Sequence, residues 1–167
     1  MDAAEALAKN PVVWHGAFIL KNHDIPIELH FLSGNTDFPT QCLSFGPADK
    51  RFLEVQLLHK IKELNFVFLN NKLKDNEEHC VLIGIPDEKY TVMNKYVKAQ
   101  HLSSYFLGYL RAKKSIGIIQ FQDEDINNIY VFPNCDYTNR VLSRIVPEKM
   151  ACLEDAAYVL FIIIKNR

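Results

Sequence analysis

The stretch PVVWHGAFILKNHDIPIELHFLSGN, Pro11 to Asn35, decides how the rest of the chain is read. Val12 to Lys21 and Ile25 to Ser33 are apolar runs rich in β-branched and aromatic residues, types that fit a pleated, half-buried surface. Between them Asn22-His23-Asp24 has turn chemistry, so the two runs are predicted to form an antiparallel hairpin. Ser33-Gly34-Asn35 then breaks the second strand. The βαβ alternation of a nucleotide-binding sheet is missing.

Working outward, Asp2 is placed to cap a short helix running to about Ala8 and closed by Asn10-Pro11, so residues 1–10 belong to the same domain. From Phe52 to Lys62 the pattern partly alternates. Glu54, Gln56, Lys60 and Lys62 share one face of a predicted strand, and Val55, Leu57 and Ile61 the other. A helix is expected through Leu64 and Phe68 to Leu73, with the acidic run 75–78 as a solvated loop. Cys80 to Ile85 reads as a buried strand ended by Pro86. Tyr90 to Lys114 is predicted to be one long helix, with Leu102, Phe106, Tyr109 and Leu110 at steps of three and four. Strands over Ile116–Phe121 and Ile129–Phe132 flank an acidic turn at 123–125. A short helix over Asn139–Ile145 and a strand over Tyr158–Lys165 close the domain. Many strands and few helices give an α+β fold, a partly closed barrel with helices around it.

The 167 residues suffice for one domain with a real core. Net charge is -1, from 19 Lys+Arg against 20 Asp+Glu, which disfavours general coating of nucleic acid but allows a local basic patch. Cys42, Cys80, Cys135 and Cys152 form no CxxC pair, so neither a zinc site nor a dithiol redox motif is indicated, and free, buried thiols in a reducing compartment are expected. The acidic start lacks the marks of a secretory signal, and the apolar run Tyr158–Ile164 is too short to span a bilayer as a helix. A soluble intracellular protein without membrane contact is expected. The six histidines form no HExxH or His/Cys cluster, the glycines form no phosphate loop, and Ser33-Gly34 lacks the context of a nucleophile elbow. No enzyme activity, metal or cofactor is expected.

One feature survives this filter. In YLRAKK, Tyr109 to Lys114, three cations stand at the end of a helix with no acid nearby. The helix dipole accounts for part of this, at about 0.3–1 kcal/mol per cation. However, Tyr109 and Lys113 lie one turn apart on one face, and Lys21 ends a strand that a small barrel brings alongside. Two ammoniums and a phenol suit a phosphate or a carboxylate.

Five segments together resemble the SPOC domain, the C-terminal module of Spen-family transcriptional regulators: PVVWHGAFILKN (11–22), ELHFLSGN (28–35), VLIGIP (81–86), YLRAKKSIGII (109–119) and VFPNCDYT (131–138). They follow the family's order over nearly the whole chain. The resemblance implies a distorted, mostly antiparallel β-barrel of about seven strands decorated by helices, with no catalysis. It implies a docking module for short acidic peptides, commonly phosphorylated on serine, from corepressor tails or the C-terminal repeats of RNA polymerase. It also implies a nuclear location and a role in transcriptional repression or RNA processing. The family's basic patch maps onto Lys21, Tyr109, Lys113 and Lys60, with Lys62, Arg111 and Lys114 as further patch residues. One departure stands out: Glu54 and Leu58 occupy positions where arginines are expected. Phosphorylation-independent docking of acidic or apolar peptides is therefore the alternative, and RNA binding ranks below both. A monomer is expected.

Overall fold

Cys80, Val81, Leu82 and Ile83 are all fully buried, as are Val159 to Ile164, although residues alternate between the two faces of a strand. Both faces of this sheet must therefore be covered. The computed structural model describes residues 3–43, 52–87, 102–120, 126–154 and 156–165. Its strands are β1 (Val12–Leu20), β2 (His23–Gly34), β3 (Phe52–Glu54), β4 (Leu57–Lys60), β5 (His79–Pro86), β6 (Ser115–Gln120), β7 (Ile126–Phe132) and β8 (Val159–Lys165). The helices are α1 (Ala3–Ala6), α2 (Phe38–Leu43), α3 (Phe66–Leu73), α4 (Gly108–Ala112), α5 (Asp136–Ile145) and α6 (Met150–Leu153).

The strands form one sheet in the order β3-β1-β2-β5-β8-β7-β6-β4. All pairings are antiparallel except β1 with β3. The two edge strands are successive pieces of one segment. Val55 N–H donates to Ile19 of β1, and Gln56 N–H donates to Ile118 of β6. The chain itself thus stitches the sheet's ends together, which is the expected barrel, with eight strands rather than about seven.

The extra strand comes from the 52–62 segment, predicted as one piece. It breaks at Val55-Gln56, where it leaves the β1 edge and joins β6, and the inward-facing register slips there. Val55 and Leu58 pack on the inner core, whereas Leu57 is 49% exposed. Ile61–Glu63 is a 3-10 turn, so Lys62 lies beyond the strand.

The barrel interior is filled by one cluster that includes Trp14, Phe18, Leu29, Phe106, Leu110 and Phe161. A second cluster outside the sheet joins Val81, Ile83, Leu160 and Ile162 to Leu69, Tyr137 and Leu142 on the covering helices. Fully buried Leu7 ties the N-terminal helix into this outer layer. Asn10 reinforces that tie: its amide donates to the Phe31 carbonyl at 3.1 Å, and its own carbonyl accepts from the His30 ring at 2.9 Å.

Several expectations shift in position. The hairpin turn is Lys21-Asn22, both at positive φ (52° and 68°), and His23 already pairs with Leu20. A two-residue loop with both central residues left-handed matches the strand twist, so His23 and Asp24 are ladder residues, not turn. The register of β1 shifts between Val12 and Trp14, which places a bulge there. Gly34 is required where it stands: at φ 104°, a Cβ would come within 2.2 Å of the His79 carbonyl oxygen. The helix expected over 139–145 begins at Asp136, where Thr138 Oγ1 accepts from Cys135 N–H at 2.8 Å. β7 begins at Ile126, three residues before the predicted start. Cys80 is buried, whereas Cys135 and Cys152 are half-buried and free. Helix α2 was not foreseen. Asp2, the Cys42 side chain, residues 90–101 of the predicted long helix and the acidic turn 123–125 lie outside the described residues.

Candidate functional site

The helical segment before β6 winds as a π-helix over Leu102–Leu107 and then as α4. Leu102, Phe106, Leu107 and Leu110 point into the barrel and fix its rotation, which turns Tyr105 and Tyr109 toward the hairpin tip. Lys113 follows as the C-cap, its N–H donating to the Tyr109 carbonyl at 3.1 Å. The Lys113 ammonium lies 5.8 Å from the centre of the Tyr109 ring. From the other side, the turn residue Lys21 brings its ammonium to 5.9 Å from the same ring. Lys21 and Lys113, far apart in the sequence, therefore meet around one phenol. Lys21 and Lys113 are exposed, and Tyr109 is half-buried against the inner core.

Lys60 stands differently. Its ammonium donates to the Lys113 carbonyl at 3.0 Å, and Ser115 Oγ donates to the same oxygen at 2.9 Å. A cation on the last carbonyls of a helix is favoured by both the hydrogen bond and the dipole. Lys60 thus braces the end of α4, and it joins the Lys21–Tyr109–Lys113 group through the Lys113 backbone. Lys114, at φ 50°, reverses the chain into β6, and its carbonyl accepts from Ile61 N–H.

The remaining patch residues face a different hollow. Lys60, Lys62, Arg111 and Lys114, with Ile61, Pro133 and Cys135, line a groove of about 490 Å³. Among the described residues, no carboxylate lines it. The α4 terminus therefore separates two basic features, the Tyr109 group on one side and this groove on the other. Leu58, at a position where an arginine was expected, packs on the inner core, and Glu54 is exposed on β3.

Two neighbours escaped the sequence reading. His23 stacks on Tyr105, with ring centroids 4.8 Å apart. The signal was present, since Tyr105 precedes Tyr109 by four residues, but His23 was read as a turn residue. Cys135 was read only as a buried thiol, yet together with Pro133 it lines the groove. Among the described residues, no group of three His, Cys, Asp or Glu side chains is arranged to hold a metal ion.

The family model of the SPOC domain matches residues 4–166. Over 173 residues the chain is 26% identical to human Msx2-interacting protein, covering 99% of this chain and 5% of that protein. It is 24% identical to Drosophila melanogaster protein split ends, over 94% of this chain and 3% of that one. Human RNA-binding protein 15 is 20% identical, over 98% of this chain and 18% of that protein. The chain thus spans under a fifth of the length of each of these relatives. The crystal structure of the SPOC domain of human PHD-finger protein 3 superposes with a TM-score of 0.59 at 12% identity, covering 94% of this chain and 99% of that one.

Proposed function

The chain belongs to the SPOC domain family, protein-interaction modules of Spen-family transcription regulators, and from that premise we propose that it docks short acidic peptides carrying phosphoserine. The observation that carries this reading is the approach of Lys21 and Lys113 to one phenol ring, 5.9 and 5.8 Å from its centre. A phosphate carries about −1.5 to −2 charge at neutral pH and three acceptor oxygens, so it rewards two ammoniums and a hydroxyl held together. A single carboxylate has less charge and fewer lone pairs to offer the same three groups. The basic groove of Lys60, Lys62, Arg111 and Lys114 then receives acidic residues flanking the phosphoserine. Ligands of this chemistry are phosphorylated tails of corepressors and of RNA polymerase, and the setting is nuclear. The domain acts there by recruitment, without chemistry of its own.

Titration calorimetry tests the reading with one peptide in phosphorylated and unmodified forms. The phosphopeptide is expected to bind at least tenfold more tightly, and Lys113→Glu or Lys21→Glu to remove most of that difference. Equal affinity for the two forms, with the lysines still required, favours the second reading, docking of acidic peptides regardless of phosphorylation. The lysines at Lys60 and Lys62 support that second reading, because ammoniums are point charges and lack the bidentate fork with which arginine holds a phosphate.

A further inference from the structure

The hairpin tip touches the helical segment twice, and the anion site uses only one of those contacts. Lys21 reaches Tyr109, and two residues on His23 stacks against Tyr105 at 4.8 Å with an interplanar angle of 30°. His23 is held by its ladder pairing with Leu20, and Tyr105 by buried Leu102 and Phe106 on the inward side of the same winding. Tyr105 sits within the π-helical stretch, a wider winding that recurs at functional sites. It is nevertheless 52% exposed, a large flat ring on the surface one helical turn before the tyrosine that the two ammoniums approach.

We propose that the His23–Tyr105 pair is a specificity element of the same peptide site and takes an aromatic side chain two residues away from the phosphoserine. This rests on the reading of the Lys21–Tyr109–Lys113 site given above. The spacing sets the register. Tyr105 and Tyr109 are four helical residues apart, about 6 Å along the axis. An extended peptide advances about 3.3 Å per residue and returns to the same face every second residue. A side chain two positions from the phosphoserine therefore reaches Tyr105 when the phosphate sits at Tyr109. An aromatic ring is the occupant that fits, because an exposed tyrosine face accepts an offset ring and needs no further donor. An unpaired nucleobase stacks on the same face. The chain's net charge of -1 favours a peptide over a charged polymer backbone.

Titration of the whole domain with three phosphoserine peptides tests this, one with phenylalanine two residues before the phosphoserine, one with it two residues after, and one with alanine at both places. One phenylalanine peptide is expected to bind about three- to tenfold more tightly than the alanine peptide. Tyr105→Ala removes that gain and Tyr105→Phe keeps it, each read as the ratio of the phenylalanine peptide's affinity to the alanine peptide's in the same protein. Tyr105 is exposed, so these variants fold, and their thermal midpoints check it. Equal affinity for all three peptides, still lost in Lys113→Glu, overturns the aromatic element and leaves the anion site standing. Absence of phosphate dependence in every peptide overturns both. A single-stranded RNA that binds more tightly than any peptide and loses affinity in Tyr105→Ala assigns the ring to nucleic acid and overturns the proposal.

Discussion

Burial pushes the Tyr137 phenol up to about 12, against the opposing pull of the Arg144 and Arg140 guanidiniums. The unfolded chain ionises near 10, so between roughly pH 10 and 12 the folded state holds a proton that the unfolded state has released. The resulting stability is complete below pH 10 and is lost as pH rises through about 12, a swing on the order of 2–3 kcal/mol. Tyr130 and Tyr158 are raised by burial as well and steepen the same limb. Tyr137→Phe is expected to flatten this alkaline limb in urea unfolding followed from pH 8 to 11.5. It also costs about 1 kcal/mol at neutral pH, because the Asn70 side-chain oxygen loses the phenol that donates to it at 3.0 Å. An unchanged alkaline slope removes Tyr137 as the cause. Lys60 teaches a related lesson at this scale. Residue type and strand position assign it to an anion site, whereas its hydrogen bond assigns it first to the end of a helix, and only the folded backbone shows that Lys113 O lies within reach.

The β1–β2 hairpin joins stability to function through its turn. Lys21 and Asn22 both hold positive φ, which asparagine tolerates and lysine adopts at a cost of about 1–2 kcal/mol. A non-glycine residue in that region invites the question of what it does there, and at this turn the strained residue carries one of the two ammoniums around Tyr109. Lys21→Gly separates the two roles. It is expected to raise unfolding stability by about 0.5–1 kcal/mol and to weaken phosphopeptide binding at least tenfold, read by chemical denaturation and calorimetry on the same sample. A fall in stability shows instead that the turn carries no strain. The hairpin itself was legible in the sequence because two β-rich runs flank turn residues. The turn's exact pair was not, since Asn22, His23 and Asp24 are all acceptable turn formers and the choice is made by the pairing of Leu20 with His23. In the same way, steps of three and four predicted a helix through Leu102–Leu110, but not its π winding over Leu102–Leu107.

At the scale of the molecule, closure of the barrel depends on Val55 and Gln56, whose backbones bond to β1 and β6 in turn. Gly117 of β6 makes room for that crossing. A Cβ there would lie 2.8 Å from a Val55 methyl carbon, too close for a β-branched side chain that cannot turn away. Gly117→Ala is therefore expected to cost about 1–3 kcal/mol and Val55→Ala to recover about 1 kcal/mol or more of it in the double variant, measured as a coupling energy in denaturant unfolding. Purely additive losses sink the idea that the two meet. The same closure brings the hairpin tip beside the α4 terminus. The sequence by itself determined the strand-rich α+β class, the position of most elements, the family resemblance and the identity of the cations at 21, 109–114 and 60–62. These follow from local pattern, because apolar periodicity and turn chemistry act over a few residues. Only the tertiary structure decided that Lys21 and Lys113 face one ring, that Lys60 braces a helix end, that a separate basic groove lies beyond it, and that His23 covers Tyr105. Those facts depend on register and twist accumulated around eight strands, and a slip of one residue would turn each side chain to the opposite face.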